Sequence, residues 1–168
     1  MTGKSRMRLI LITGARNSGK TALVRLAAAE LRGAGGVCSP AELRGGAKTS
    51  YFVRSLRSGR RLPLLRVTDA GPKTSEAGFR FACSVIRRNA SRKVLFVDEY
   101  GPLESRGIGF YPALLAACAR GRGVLVLTAR KSLLGDAAAH LGFKRYKVLD
   151  LDNMDGEIAL KCLLKYAA

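Results

Sequence analysis

The stretch Leu9–Val24, LILITGARNSGKTALV, constrains this chain more than any other. Leu9 to Ile12 is a short apolar run of the kind that forms a buried strand. Gly14-Ala15-Arg16-Asn17-Ser18-Gly19-Lys20-Thr21 then satisfies G-x-x-x-x-G-K-[ST] at every fixed position. Thr21 to Leu31 is rich in Ala and Leu and reads as a helix. Strand, glycine loop and helix in that order make a phosphate-binding turn, because backbone N–H groups converge where the positive end of the helix points. Gly14 and Gly19 allow the close approach, and Asn17 is the side-chain-bearing residue best suited to a left-handed backbone. The expected phosphate-binding set is Gly14, Ala15, Arg16, Asn17, Ser18, Gly19, Lys20, Thr21 and Ala22. Within it Lys20 would reach the β- and γ-phosphates and the Thr21 hydroxyl would ligate Mg²⁺.

The chain has 168 residues, with 48% apolar and 25% charged residues, which suits one compact globular domain over 1–168. The net charge of +18 favours phosphate-bearing partners: nucleotides, nucleic acid or anionic lipid. Cys38, Cys83, Cys118 and Cys162 are far apart and form no C-x-x-C, so zinc and redox spacings are absent. Their apolar surroundings point to buried reduced thiols and a cytoplasmic location. No apolar run is long enough for a signal sequence or a membrane span. Gly3-Lys4-Ser5 imitates the end of a phosphate loop, but no strand precedes it, and it reads as a flexible terminus.

Further along, Val37–Ser39 reads as a brief strand and Pro40–Gly46 as a loop. Lys48–Leu56 and Arg61–Val67 read as the two strands of a hairpin turning at Ser58-Gly59. The hairpin, about 48–67, carries Arg54, Arg57, Arg60, Arg61 and Arg66. These suit a basic flap near a nucleotide or polymer, or a solvated outer face, and the second is preferred. Asp69–Ser75 reads as a connection and Glu76–Ala90 as a helix weakened by Gly78, with a short edge strand at Phe79–Phe81 as the alternative. Lys93–Asp98 and Gly123–Thr128 are strands whose unbroken apolar runs suit burial on both faces. Helices are expected over Arg106–Arg120, with Phe110, Leu114, Leu115 and Cys118 inward, over Ser132–Leu141 with Ser132 as its cap, and over Asp155–Tyr166. Arg145–Leu151 is a last strand. Alternating strands and helices give an α/β fold: a mainly parallel sheet with helices on both faces, three layers, and the hairpin as an insertion.

Asp98 and Glu99 follow the Val94–Val97 run, and ligand-handling residues of parallel sheets sit at such carboxyl ends. Asp98 is placed to hold Mg²⁺ opposite Thr21, and Glu99 to orient or deprotonate a water. Val97-Asp98-Glu99-Tyr100-Gly101-Pro102-Leu103-Glu104 resembles the V-D-E-I-G-P-M-E segment of the THEP1-type nucleoside-triphosphatases. Ala41-Glu42-Leu43-Arg44-Gly45-Gly46-Ala47-Lys48 resembles that family's E-x-R-x-G-G-x segment. The resemblance implies a P-loop fold and slow Mg²⁺-dependent hydrolysis of several nucleoside triphosphates, with Asp98 as metal carboxylate and Glu99 as base. The chain departs from the pattern at Arg16-Asn17, in a short connection before the Asp98 strand, and at Met154, where Asp152-Asn153-Met154-Asp155 replaces E-N-R-D. Arg130 and Arg16 are candidates to supply positive charge near the γ-phosphate.

The sequence thus reads as an Mg²⁺-dependent nucleoside-triphosphatase acting on ATP, GTP or other NTPs, with catalytic Lys20 and Glu99. Alternatives are a nucleotide or polynucleotide kinase using the arginine hairpin as a lid, or a nucleotide-gated nucleic-acid-binding or assembly protein with little turnover. A GTPase switch also fits D-x-x-G at Asp98–Gly101, but no N-K-x-D or T-K-x-D tetrapeptide reads guanine. A nucleic-acid partner suits the basic surface; base preference and oligomeric state are not written in the residues.

Overall fold

The computed structural model describes residues 7–168; the expected flexible terminus at Gly3-Lys4-Ser5 lies outside them. The first half runs β1 (Arg8–Thr13), α1 (Lys20–Glu30), β2 (Ala34–Cys38), β3 (Ala41–Arg44), β4 (Ala47–Ser55), β5 (Arg61–Thr68), β6 (Gly71–Thr74) and α2 (Glu76–Arg88). The second half runs β7 (Val94–Tyr100), α3 (Pro102–Ser105), α4 (Tyr111–Arg120), β8 (Val124–Ala129), a 3₁₀ turn at Lys131–Leu133, α5 (Leu134–His140), β9 (Tyr146–Asp150) and α6 (Gly156–Ala167). All the strands join one sheet in the order β6-β5-β4-β2-β7-β8-β1-β9, with β3 paired to β4.

The unbroken apolar runs form its parallel half: β2, β7, β8, β1 and β9 lie side by side and parallel. Side chains alternate across the pleat, so each run feeds two cores. Leu9 and Leu11, Leu95 and Val97, and Leu125 and Leu127 pack with α2, α4 and α5. Ile10 and Ile12, Val94 and Phe96, and Val124 and Val126 pack with α1 and α6. Each of these twelve side chains is at most 2% exposed. At about 1.5–3 kcal/mol per fully buried large apolar side chain, this double burial dominates what holds the layers together.

The antiparallel half is larger than the hairpin expected at 48–67. Pro40–Gly46 is not wholly loop, because Ala41–Arg44 pairs with β4 through a tight turn at Gly45-Gly46. Both glycines have positive φ, 57° and 80°, as a two-residue primed turn demands. Asp69–Ser75 likewise contains a strand: β6 returns along β5 and forms the sheet edge. An edge strand accommodates Pro72, which has no N–H to donate to a second neighbour.

The helices also need correction. Arg106–Arg120 is not one helix; α3 ends at Ser105 and α4 begins at Tyr111, with Gly107 and Gly109 at positive φ between them. Leu115 is 44% exposed, not inward, because Ala113, Leu114, Ala117 and Cys118 supply the buried face. Ser132 does not cap its helix: it lies inside the 3₁₀ turn, and Leu133 precedes α5 without a side-chain cap. Gly78, which weakened the helix expectation, lets α2 sit directly on β5, since a Cβ there would run into the Pro63 carbonyl. Cys38 and Cys118 are buried as expected, whereas Cys83 and Cys162 are only half-buried.

Candidate functional site

The loop between β1 and α1 opens into a cavity of about 970 Å³ at the carboxyl ends of the parallel strands. Every residue from Gly14 to Ala22 lines it, together with Asp98, Glu99, Arg130 and Asp152. Asn17 adopts φ 65°, the left-handed backbone expected of it. Lys20 folds back along the loop: its Nζ donates to the carbonyls of Gly14 (2.9 Å) and Ala15 (2.8 Å) and to Ser18 Oγ (3.3 Å). The Ala15 N–H donates to Asp152 Oδ1 at 2.8 Å, so one loop amide already holds a carboxylate oxygen.

Asp98 reaches α1 although β8 stands between β7 and β1. Its Oδ2 accepts from Thr21 Oγ1 (2.8 Å) and the Ser39 N–H (2.9 Å), and its Oδ1 accepts from Thr128 Oγ1 (2.8 Å). The side chain is 3% exposed, and among the described residues no lysine or arginine forms an ion pair with it. Three neutral donors orient this buried carboxylate, but its charge lacks a cationic partner, and such burial is costly. Thr21 Oγ1 and the Asp98 carboxylate are hard oxygen donors of the kind that suit Mg²⁺. No group of three or more His, Cys, Asp or Glu among the described residues could hold a metal alone. A cation at this point would complete its shell from water and phosphate, as Mg²⁺ commonly does.

Glu99 enters the same cavity through a local irregularity. Strict alternation along a strand would send adjacent side chains to opposite faces. Here the register between β7 and β8 shifts between Val97 and Tyr100, and Glu99 has φ 101°. A bulge re-aims side chains in this way, and a non-glycine residue at such φ is held by its surroundings at a cost of about 1–3 kcal/mol. Glu99 is open to the cavity, yet protein surrounds it closely enough that lost solvation pushes its carboxyl above the usual range. Neighbouring Asp98 pushes the same way, while Arg130, Lys20 and Lys48 oppose the shift.

The third acid of the segment, Glu104, is buried and structural in its contacts. Its Oε2 accepts from the Gly101 N–H and its Oε1 from the Phe110 N–H, both at 2.9 Å. It thereby clips the two ends of the 101–110 loop together directly after Glu99. Burial drives its carboxyl upward, against the pull of those same N–H groups.

Both candidate charge stabilisers line the cavity: Arg130 lies beside Glu99, and the Arg16 guanidinium reaches Tyr51 Oη on the cavity wall at 3.4 Å. Arg54, Arg57, Arg60, Arg61 and Arg66 do not line the cavity, whereas Lys48 and Tyr51 of the same hairpin do. Met154 packs half-buried against the α1–α6 core, so the departure from E-N-R-D falls outside the cavity wall. Sequence reasoning missed Ser39, Lys48, Tyr51 and Thr128 as cavity residues. Only the last had a usable signal, a polar residue closing the apolar β8 run.

A phosphate-loop helix, a buried acid opposite its threonine and a second acid in the same cavity define a P-loop α/β protein of the nucleoside-triphosphatase type. A sequence model of the NTPase family matches residues 9–158, and the chain belongs to that family. It is similar in fold to a human cancer-related nucleoside triphosphatase solved in solution, with TM-score 0.75 and 20% identity over 95% of this chain and 96% of that one. It is also similar to THEP1 from the hyperthermophile Aquifex aeolicus, with TM-score 0.74 and 17% identity over 95% and 98% of the two chains. Among curated proteins none matches. The described residues include no helix long and apolar enough to cross a membrane.

Proposed function

We propose that the protein hydrolyses the β–γ bond of nucleoside triphosphates, with Mg²⁺ held between Thr21 and Asp98 and little selectivity for the base. The observation that carries this reading is the 2.8 Å contact between Thr21 Oγ1 and Asp98 Oδ2, with Glu99 opening into the same cavity. Loop amides and Lys20, released from its own loop carbonyls, would take the β- and γ-phosphate oxygens. Bound Mg²⁺ would supply charge neutralisation as the bond breaks. Glu99 accepts a proton from water as the water oxygen bonds to the γ-phosphorus. The bond from that phosphorus to the bridging oxygen breaks, leaving nucleoside diphosphate and inorganic phosphate. Arg130 stands beside Glu99 to offset the developing negative charge. Lining residues offer no set of side-chain amides arranged to read a base edge, which favours broad base use. A nucleic acid is the second class of partner that the net charge of +18 suits.

The test is phosphate release from ATP, GTP, CTP and UTP, with Mg²⁺ and with chelator. Release from several of the four, lost with chelator and lost in Asp98→Asn, is the expected result. Release unaffected by chelator, or transfer of phosphate to a nucleoside instead of water, contradicts the reading.

A further inference from the structure

A second cavity, of about 500 Å³, lies at the other end of the sheet's antiparallel half, where the β4–β5 turn meets the end of α2. Strand β4 links the two sites: Tyr51 lines the nucleotide cavity and Ser55 lines this one, so their nearest lining residues on the strand stand about 13 Å apart at ~3.3 Å per residue. Arg57, Arg60, Arg88 and Arg92 line the second cavity, and no acidic residue does. Among the described residues none of the four forms an ion pair. Arg88 in the last turn of α2 has a structural use there, because cations suit a helix carboxyl end. Arg57, Arg60 and Arg92 have no such use.

Three of the four arginines also make contacts that hold them in place. The Arg57 stem lies against Gly35, the Arg60 guanidinium stacks 5.3 Å over the Phe81 ring, and Arg88 Nε donates weakly to the Ser84 carbonyl at 3.4 Å. The turn carrying Arg57 and Arg60 is fixed by the Ser55 N–H donating to the Arg60 carbonyl (2.9 Å) and the Gly59 N–H donating to the Ser55 carbonyl (2.9 Å). Four guanidiniums around one concavity, with no acidic side chain among them, form a site of positive potential that an anion would occupy favourably.

We infer that this arginine-lined cavity binds the phosphate backbone of a nucleic acid. The guanidinium fork suits phosphate oxygens, and four of them suit several phosphates in a row better than one small anion. Phe81 is covered by Arg60 and the nearby Phe52 ring by Arg61, so no bare aromatic face offers a base a stacking platform. The site therefore reads charge and spacing, and its binding is independent of sequence. This deepens the partner reading above and does not rest on hydrolysis: either property can fail while the other stands.

The experiment measures fluorescence anisotropy of labelled RNA and DNA oligonucleotides of about 20 nucleotides, longer than the ~4–16 that one small domain covers. Full-length protein is compared with Arg88→Gln/Arg92→Gln and, on the separate turn, Arg57→Gln/Arg60→Gln, across a salt series. Either pair of changes should weaken binding roughly tenfold or more and flatten the log Kd–log salt slope by about 1.4 for single strands, while leaving phosphate release unchanged. Saturating Mg-ATP should not displace the oligonucleotide. Wild-type protein that binds nothing up to roughly 10⁻⁴ M, the weak limit of non-specific binding, overturns the inference. So does unaltered affinity in both folded variants, or displacement by Mg-ATP. Loss of binding to phosphatidylserine vesicles with oligonucleotide binding intact would assign the cavity to membranes and overturn it too.

Discussion

The two halves of the sheet are built differently and do different work. The parallel half is covered on both faces, and its strands carry apolar residues in unbroken runs. The antiparallel half, β3 to β6, is lined by α2 on one side only and leaves Leu43 and Val67 at 61% and 50% exposure. The candidate site sits where the parallel half ends: the phosphate loop follows β1, Asp98 and Glu99 lie at the end of β7, and Thr128 lies at the end of β8. The outer half contributes cations to both cavities, Lys48 to one and Arg57 and Arg60 to the other. Placement to fractions of an ångström needs the packed half, whereas charge attraction tolerates the looser one.

The largest expected effect tests the rigid half. Lys20→Ala should lower phosphate release by roughly 10²–10³, the loss seen when one preorganised donor is removed, and should abolish tight triphosphate uptake in calorimetry. A milder loss would mean that the loop amides alone hold the phosphates. Next comes stability. Leu127→Ala, fully buried in the parallel half, should cost about 2–5 kcal/mol in denaturant unfolding, and Val67→Ala within about 0.5 kcal/mol. Equal costs would erase the difference between the halves. Glu104→Ala orphans two backbone N–H groups and should cost about 1–3 kcal/mol, with Glu104→Gln recovering part of it. The smallest effect belongs to the outer half. Lys48→Ala should raise KM for triphosphate only about two- to fivefold, as expected when one partly solvated cation is lost, with kcat little changed.

How much of this was legible follows the same division. Leu9–Ile12, Val94–Val97 and Gly123–Thr128 announce buried parallel strands because nothing polar interrupts them. The loop announces itself because its spacing serves one backbone geometry. β3 carried a signal that was passed over, the Gly45-Gly46 pair of a tight hairpin. β6 carried little, since Gly71-Pro72 reads as a turn until an edge position excuses it. Asp98 could be placed from strand position alone. Glu99 could be nominated from its neighbour, but period-two alternation sends it to the wrong face; only the bulge opposite β8 returns it. Asp152 on the Ala15 amide joins residues 137 apart in sequence, a pairing no local pattern contains. The hairpin arginines were visible as charge, but whether they would face the phosphate loop depended on how the sheet was ordered.

The central claim is that one cavity divides its labour: the loop, Thr21 and Asp98 hold the metal-nucleotide, and Glu99 activates water. Glu99→Gln tests this most directly, with triphosphate affinity measured by calorimetry and turnover by phosphate release on the same preparation. The account predicts an affinity within a few-fold of wild type and a turnover lower by roughly two to four powers of ten, the range for a lost general base. Parallel losses in affinity and turnover, or a turnover left intact, would contradict it.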